Sequence, residues 1–362
     1  MSLSLREKRT LLWNELTSQG FVSGELPVHE DIESPWYVRV LIGISGWLAA
    51  AFMLGFIGAA FNFLFENKTA GMIVGVIMIF VAYKMLLKKS ESDFVSQFAL
   101  AVSFAGQALF VVSLDLFQWF TPSDALNWVV VGLLQAVLAW LMPNSIHRVW
   151  STFAAVIAVN IALTIWHVYF VQTSFIMAAV ALVWLNEFKW IEQQQKIKPI
   201  GYGLTLAVLY QANTGLSYEL LWSAASKYKE SLVQPWLGEL LLGAVIVYVV
   251  LQLLKRQHLD IPGRTANVSL IGTVVLILAS LQVYGLTVGV MIIFLGYANG
   301  NRILTGVGIA SLLHNLSVYY YTLQATLLEK SLLLLILGVL LLIASGLMRY
   351  VLFADKEAAD AK

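Results

Sequence analysis

The sequence predicts an all-α fold: a polytopic transmembrane helical bundle of about 12 spans, both termini cytoplasmic, preceded by a short N-terminal amphipathic helix. Two observations carry this prediction. Of the 362 residues, 59% are hydrophobic and 12% are charged, whereas a soluble domain has roughly 25% charged residues. Lys and Arg also avoid one side of the predicted spans. A water-soluble chain of this length could not bury so much apolar surface.

Hydropathy divides the chain into apolar segments on the scale of the roughly 20 residues that one crossing requires. The predicted spans are residues 38–64, 70–87, 94–114, 125–142, 149–168, 174–190, 200–216, 235–254, 267–284, 286–300, 302–321 and 331–352. The tenth segment is short, and the seventh is the least hydrophobic because it carries Gln211 and Asn213. Ten or eleven spans therefore remain alternatives.

The distribution of basic residues predicts the orientation. With twelve spans, all but four of the 22 Lys and Arg fall on one face; the exceptions are Lys68, Lys227, Lys229 and Lys330. Juxtamembrane Lys and Arg are retained in the cytoplasm. We therefore expect both ends of the chain on the cytoplasmic side.

Three regions follow from this reading. Residues 1–34 form a cytoplasmic segment, in which Leu5, Leu12 and Leu16 recur at near-helical spacing and are followed by an acidic, proline-flanked connector. Residues 35–353 form the transmembrane helical domain, and residues 354–362 form a cytoplasmic tail.

The third predicted span contains the first group of candidate functional residues. Ser103 and Gln107 lie one helical turn apart among small residues, and the span ends near Asp115. Small residues let a second helix approach closely, so that Gln107 faces protein rather than lipid. Polar groups at this depth either perform a function or join helices by hydrogen bonds. Both readings remain open for Gln107, and Asp115 has the alternative of being solvated at the outer boundary.

The eleventh predicted span contains the second group. Arg302 lies at its cytoplasmic turn, and Asn315 shares one helix face with Ser311. His314 lies about 18 Å above Arg302 at 1.5 Å per residue. A buried histidine titrates near neutral pH, so it is either a proton-coupling residue or a hydrogen-bonded structural one. After this span, Glu329 and Ser331 are expected to cap the last helix.

Sequence motifs for chemistry are missing. The chain contains no cysteine, no Walker motif, no nucleophile elbow and no HExxH motif. Of the five histidines, only His167 and His314 fall within predicted spans. We therefore expect no cofactor, no metal site and no nucleic-acid partner. An enzyme is not expected either, with a lipid-modifying activity as the one open case.

The segment 296–338 resembles domain-of-unknown-function family 4401, a family of uncharacterised bacterial membrane proteins. The residues that carry the resemblance are Gly300-Asn301-Arg302, 312–316, Tyr319-Tyr320-Tyr321 and the run from Thr326 to Ser331. The Gly106-Gln107 pair and the N-terminal helix are similar to features of a related predicted-membrane-protein family, numbered 2157. The resemblance implies a multi-pass protein of the bacterial inner membrane. It also implies a possible partner, a small protein with a Gly-Asp-Tyr signature encoded nearby.

Two functions remain for such a chain. The first is a non-catalytic membrane scaffold or assembly partner, favoured because no catalytic set and no intramembrane charge pair is visible. The alternative is a secondary transporter or permease-like protein, with a polar path lined by the third and eleventh spans. Membrane lipids are expected contacts in either case. The sequence leaves the substrate, the partner and the oligomeric state open.

Overall fold

The computed structural model describes residues 5–22, 67–88, 93–114, 124–168, 170–221, 235–257, 263–280 and 285–322, together with isolated positions at 24, between 41 and 59, at 233 and between 326 and 346. Asp115 and the predicted tail 354–362 lie outside the described residues. Of the predicted first and last spans, only scattered positions are described, and those positions are helical.

All regular structure in the described part of the chain is helical. The helices are α1 Leu5–Ser18, α2 Lys68–Leu87, α3 Asp93–Ser113, α4 Ala125–Leu141, α5 Ser145–Ile165, α6 Gln172–Leu185, α7 Gln194–Leu221, α8 Pro235–Arg256, α9 Arg264–Ser280, α10 Leu286–Ala298 and α11 Arg302–Thr322. A 3₁₀ helix, Glu187–Gln193, joins α6 to α7. This confirms the all-α prediction at the level of fold class.

Five of these helices are long and apolar enough to cross a membrane: α2, α3, α5, α8 and α11. A sixth crossing arises if α6 and the helical segment after it, bent by 73°, form one span. Helices α4, α9 and α10 are apolar but shorter. The described residues thus support a membrane-spanning chain of five or six crossings, fewer than the sequence predicts.

Polar residues placed just before the helices explain where several of them begin. The side chain of Asn67 accepts a hydrogen bond from the Ala70 amide at α2, and Asp124 accepts one from the Leu126 amide at α4. Asn144 accepts from two amides of the first turn of α5, and Asn301 accepts from the Leu304 amide at α11. Each side chain satisfies an amide that the helix leaves unpaired, and such a cap contributes about 1 kcal/mol.

Close helix pairs form where glycines remove side chains from the contact. In the α2–α3 pair, a Cβ built on Gly75 would lie 2.7 Å from the Gly106 carbonyl oxygen, and one on Gly106 would lie 2.6 Å from the Gly75 carbonyl oxygen. The two backbones therefore touch at this crossing. In membranes such small-residue contacts supply the packing that the hydrophobic effect supplies in water.

The largest core lies among α6, α7, α8 and α10, around the fully buried Trp184. Its indole donates a hydrogen bond to Thr205 of α7 at 3.1 Å. The outer surface is also apolar: Leu133 of α4 is 63% exposed, and Ile271 of α9 is 64% exposed. Core and surface of similar polarity are the pattern expected of a bundle in lipid.

Candidate functional site

A buried polar cluster joins three helices near the start of α5. Ser103 and Gln107 come from α3, Gln135 comes from α4, and His147 and Ser151 come from α5. All five side chains are buried, and those of Ser103 and His147 have no exposed surface. We call these five residues the His147 cluster.

Hydrogen bonds connect every member of the His147 cluster. The Nε2 atom of His147 lies 2.8 Å from the Ser103 hydroxyl and 3.0 Å from the Gln107 amide nitrogen. Its Nδ1 atom lies 3.0 Å from the Ser151 hydroxyl. Gln107 also donates to Ser103 at 3.1 Å and accepts from the Gln135 amide at 2.8 Å. The hydrogen bonds of the cluster use both ring nitrogens of His147 and link α3, α4 and α5.

The direction of these bonds fits a neutral imidazole with its proton on Nδ1. An amide nitrogen can only donate, so the contact with the Gln107 amide makes Nε2 the acceptor, and the Ser103 hydroxyl then donates to the same nitrogen. Nδ1 then donates to Ser151. The ring also stacks on Phe104, with centroids 5.2 Å apart and planes 13° apart. The imidazole is therefore fixed on both edges and on one face.

Local sequence explains why His147 is inside the bundle. Asn144 caps α5 and accepts hydrogen bonds from the amides of Ile146 and His147, at 2.8 and 3.2 Å. The helix therefore begins at Ser145 and carries His147 in its first turn.

The His147 cluster is closed. A serine hydroxyl 2.8 Å from an imidazole nitrogen has the spacing of a nucleophile and its base. However, neither Ser103 nor His147 has any exposed surface, so a substrate has no approach to the hydroxyl. One acceptor remains: the Gln135 Oε1 atom has no hydrogen-bond partner among the described residues. This arrangement joins three helices.

A second polar group lies at the turn between α10 and α11. The Asn299 side chain donates to the Trp184 carbonyl at the end of α6, at 2.8 Å, and accepts from Arg256 at the end of α8, at 3.3 Å. Asn301 exchanges a hydrogen bond with the Tyr202 hydroxyl of α7 and caps α11. Arg302, the residue singled out from the sequence, is exposed beside this turn. The turn between α10 and α11 thus contacts the ends of α6 and α8 and the third turn of α7.

Asn315 lies in a third place, against the start of α10. It is 1% exposed, and its amide nitrogen is 3.5 Å from the Ser311 hydroxyl one turn earlier. A Cβ built on Gly285 would collide with the Asn315 amide, and Gly285 also has a φ of +74°. Both facts require glycine at position 285. The Asn315 Oδ1 atom has no hydrogen-bond partner within the described part of the chain.

His314 is exposed, whereas its neighbour Asn315 is buried. The side chain of His314 lies on the outer face of α11. The sequence left two alternatives for this residue, both assuming burial, and the placement differs from that assumption. Adjacent residues on a helix point about 100° apart, so Asn315 takes the buried direction and His314 the outer one.

The structure does not bring the predicted residues together. Gln107 has its hydrogen-bond partners on α3, α4 and α5, and Asn315 has its nearest contacts on α10 and α11. His147 is not among the residues predicted from the sequence, because the predicted fifth span begins at residue 149 whereas α5 begins at Ser145. The missed signal was the Pro143-Asn144-Ser145 sequence, a helix stop followed by a helix cap.

The comparison with protein families gives one match. The family described as Domain of unknown function (DUF4401) matches residues 35–351, which is most of the chain. No curated protein and no solved structure matches.

Proposed function

Because the chain belongs to the DUF4401 family, whose description assigns no activity, we propose a function from the geometry of its helices: a non-catalytic scaffold or assembly partner in the bacterial inner membrane. The twelve-span arrangement with both ends in the cytoplasm is part of this proposal. Reporter fusions at the two termini test it: both should report the cytoplasm, and ends in opposite compartments would exclude any even number of spans.

The way the buried polar groups are used supports a structural role. Gln107, a candidate for a transport path, is 6% exposed and engages Ser103, Gln135 and His147. A residue that lines a polar path needs hydrogen-bonding capacity left for the solute or for water. The amide groups of Gln107 are instead hydrogen-bonded to side chains of its own and neighbouring helices, so the cluster holds the three helices together.

The main support for an assembly role is the outer face of α11. Gly306, Ala310, His314 and Ser317 are all exposed and follow one side of this helix. A Cβ built on Gly306 would meet nothing within 4 Å, so a partner helix can approach the backbone closely. A histidine facing hydrocarbon is costly unless it finds a polar partner. A second transmembrane helix with a hydrogen-bonding side chain would satisfy it.

The partner we propose is the small protein with the Gly-Asp-Tyr signature that the family resemblance implies. The test is co-expression of the two proteins and purification in mild detergent through a tag on this chain. We expect a complex of fixed stoichiometry with the wild-type chain. Gly306→Leu, which fills the approach, and His314→Leu, which removes the polar contact, should each lose the partner.

Ile271→Ala serves as the matched control, because Ile271 is also exposed but lies on α9. It should keep the complex. Recovery of this chain alone from the co-expressing cells would contradict the proposed partner. Retention of the complex by both α11 variants would contradict the proposed surface.

A transporter is the second candidate, favoured by one observation. Helix α6 and the segment that follows it are bent by 73°, and interrupted helices build the substrate sites of many transporters. Glu187 lies at the break, 7% exposed, 3.6 Å from Lys198 through one carboxylate oxygen. Its other oxygen has no hydrogen-bond partner among the described residues.

Flux into proteoliposomes tests transport over a broad solute panel. If the chain transports, Glu187→Gln should reduce the flux more than Gln107→Ala or Asn315→Ala. Both amide atoms of Gln107 are hydrogen-bonded to neighbouring helices, and Asn315 is only 1% exposed. Lys189→Gln is the control, since Lys189 is exposed near the same break. Equal flux with and without the protein for every solute would remove this candidate.

A further inference from the structure

A groove runs along the outer surface between α8 and α9. Its volume is about 670 Å³, and it is lined by side chains of α8 together with Ile277 of α9. Gly243 lies between the two helices: a Cβ built there would reach the Ile277 side chain at 3.5 Å. The absence of a side chain at position 243 therefore keeps the groove open between the helices.

The length of the groove matches one leaflet of a bilayer. Its lining extends along α8 from Glu239 to Leu251, which corresponds to about 18 Å at 1.5 Å per residue. The hydrocarbon core of a bilayer is about 30 Å thick, so one leaflet provides about 15 Å. Apart from Glu239, the described residues of the lining are almost entirely apolar, with Val247 and Leu251 following Gly243 along the same side. This is the shape and polarity of a site for one acyl chain.

The charge at one end of the groove indicates which kind of lipid head group would bind there. Glu239 is half-buried one turn into α8. Among the described residues that line the groove, it is the only ionisable side chain apart from the Tyr248 phenol. No Lys, Arg or His of the described residues forms an ion pair with it. A carboxylate at the edge of hydrocarbon is costly unless a cation or a hydrogen-bond donor reaches it. Anionic lipids would be repelled, and a primary ammonium would supply both the charge and the hydrogen bonds.

We propose that this groove binds one molecule of phosphatidylethanolamine, with an acyl chain along Gly243 and Val247 and the ammonium group on the Glu239 carboxylate. The inference rests on the membrane-spanning part of the proposed function. It does not rest on the protein partner, whose proposed surface is on α11.

Native mass spectrometry of the full chain tests the proposal. The protein is released from micelles that contain equal amounts of phosphatidylethanolamine, phosphatidylglycerol and phosphatidylcholine with the same acyl chains. We expect one phosphatidylethanolamine to be retained preferentially by the wild type. Glu239→Gln should reduce the preference over the other two head groups on the order of tenfold, since it removes the charge.

Gly243→Phe fills the groove and should reduce retention of all three lipids at this site. Glu192→Gln is the matched control, because Glu192 is exposed outside the groove, and it should leave the preference unchanged. Equal retention of the three lipids by the wild type would overturn the proposal, as would an unchanged preference in Glu239→Gln. A dimer that both groove variants dissociate would assign the groove to a second copy and also overturn it.

Failure of this experiment is distinguishable from failure of the assembly role. The partner complex is measured by co-purification, with variants on α11. If the lipid preference is absent but the complex depends on Gly306 and His314, only the groove proposal fails. If the lipid preference is present and no complex forms, only the assembly proposal fails.

Discussion

Replacing His147 with leucine should destabilise the bundle by about 3–5 kcal/mol. The imidazole makes three side-chain hydrogen bonds, with Ser103 at 2.8 Å and with Gln107 and Ser151 at 3.0 Å each. Hydrogen bonds between side chains inside membrane proteins contribute about 0.6 kcal/mol each on average. A buried donor left without a partner costs a further 1–3 kcal/mol. His147→Leu removes the partner of one N–H of the Gln107 amide, while the other N–H still donates to Ser103.

The free energy of unfolding can be measured by titration with SDS in mixed micelles. Ile271→Ala is the control, because it truncates a side chain that is exposed on α9 and should change the free energy by no more than about 0.5 kcal/mol. A double-mutant cycle with Ser151→Ala should give a coupling energy of about 0.6 kcal/mol for the His147–Ser151 pair. A cost below 0.5 kcal/mol for His147→Leu would refute the claim that the cluster fastens three helices.

Three further predictions concern positions outside the His147 cluster. Gly106→Ala should lower the free energy of unfolding by about 1–3 kcal/mol, because the added Cβ has no room against α2. Gly55→Ala is its control: a Cβ at this position meets nothing within 4 Å, so the variant should be neutral in the same titration. Gly285→Ala should lower the free energy of unfolding, because the new Cβ collides with Asn315 and the φ at this position is positive. Adding Asn315→Ala to this variant should recover part of the loss, since the collision disappears while the positive φ remains. If nothing is recovered, the contact between Gly285 and Asn315 is contradicted. Thr326→Ala should raise the pKa of Glu329, measured by NMR of its labelled carboxyl carbon, and an unchanged pKa would contradict the cap.

The sign of the Glu329 effect follows from its hydrogen bonds. The backbone amide and the hydroxyl of Thr326 both donate to the Glu329 carboxylate, at 2.8 and 3.0 Å, and they lower the pKa of this group below its ordinary value. The Glu329 amide in turn donates to the Thr326 hydroxyl at 3.3 Å, which completes a capping box. Because the folded-state pKa is depressed, the contribution to stability is present above the ordinary pKa. It is lost as the pH falls through the lowered value.

The positions of caps show how far the sequence could guide the fold. A cap by Glu329 and Ser331 was expected for the last helix, and the structure uses Thr326 with Glu329 instead. The hydroxyl of Ser331 donates to the Leu328 carbonyl within the helix. The pattern of Thr followed three residues later by Glu was present in the sequence. This feature could have been predicted, and so could the start of α5 after Asn144.

Other features could not be predicted, because they depend on which helices meet. The sequence gives the spacing of Ser103 and Gln107 on α3 but contains no indication that α5 supplies an imidazole between them. His314 and Asn315 are equally polar neighbours, and only the position of α10 decides which of them is buried. The number of crossings is a similar case, since apolar length alone does not distinguish two short spans from one bent helix, as at α6 and α7.

The short α10 has a consequence for the surrounding bilayer. With 13 residues, it is about 20 Å long, which is roughly 10 Å less than the hydrocarbon core that it would have to cross. Such a hydrophobic mismatch is relieved by local thinning of the lipid layer, at a cost of fractions of a kcal/mol per Å. The protein should therefore be more stable in bilayers of short-chain lipids than in those of long-chain lipids, and a thin annulus beside α10 would be part of its working environment.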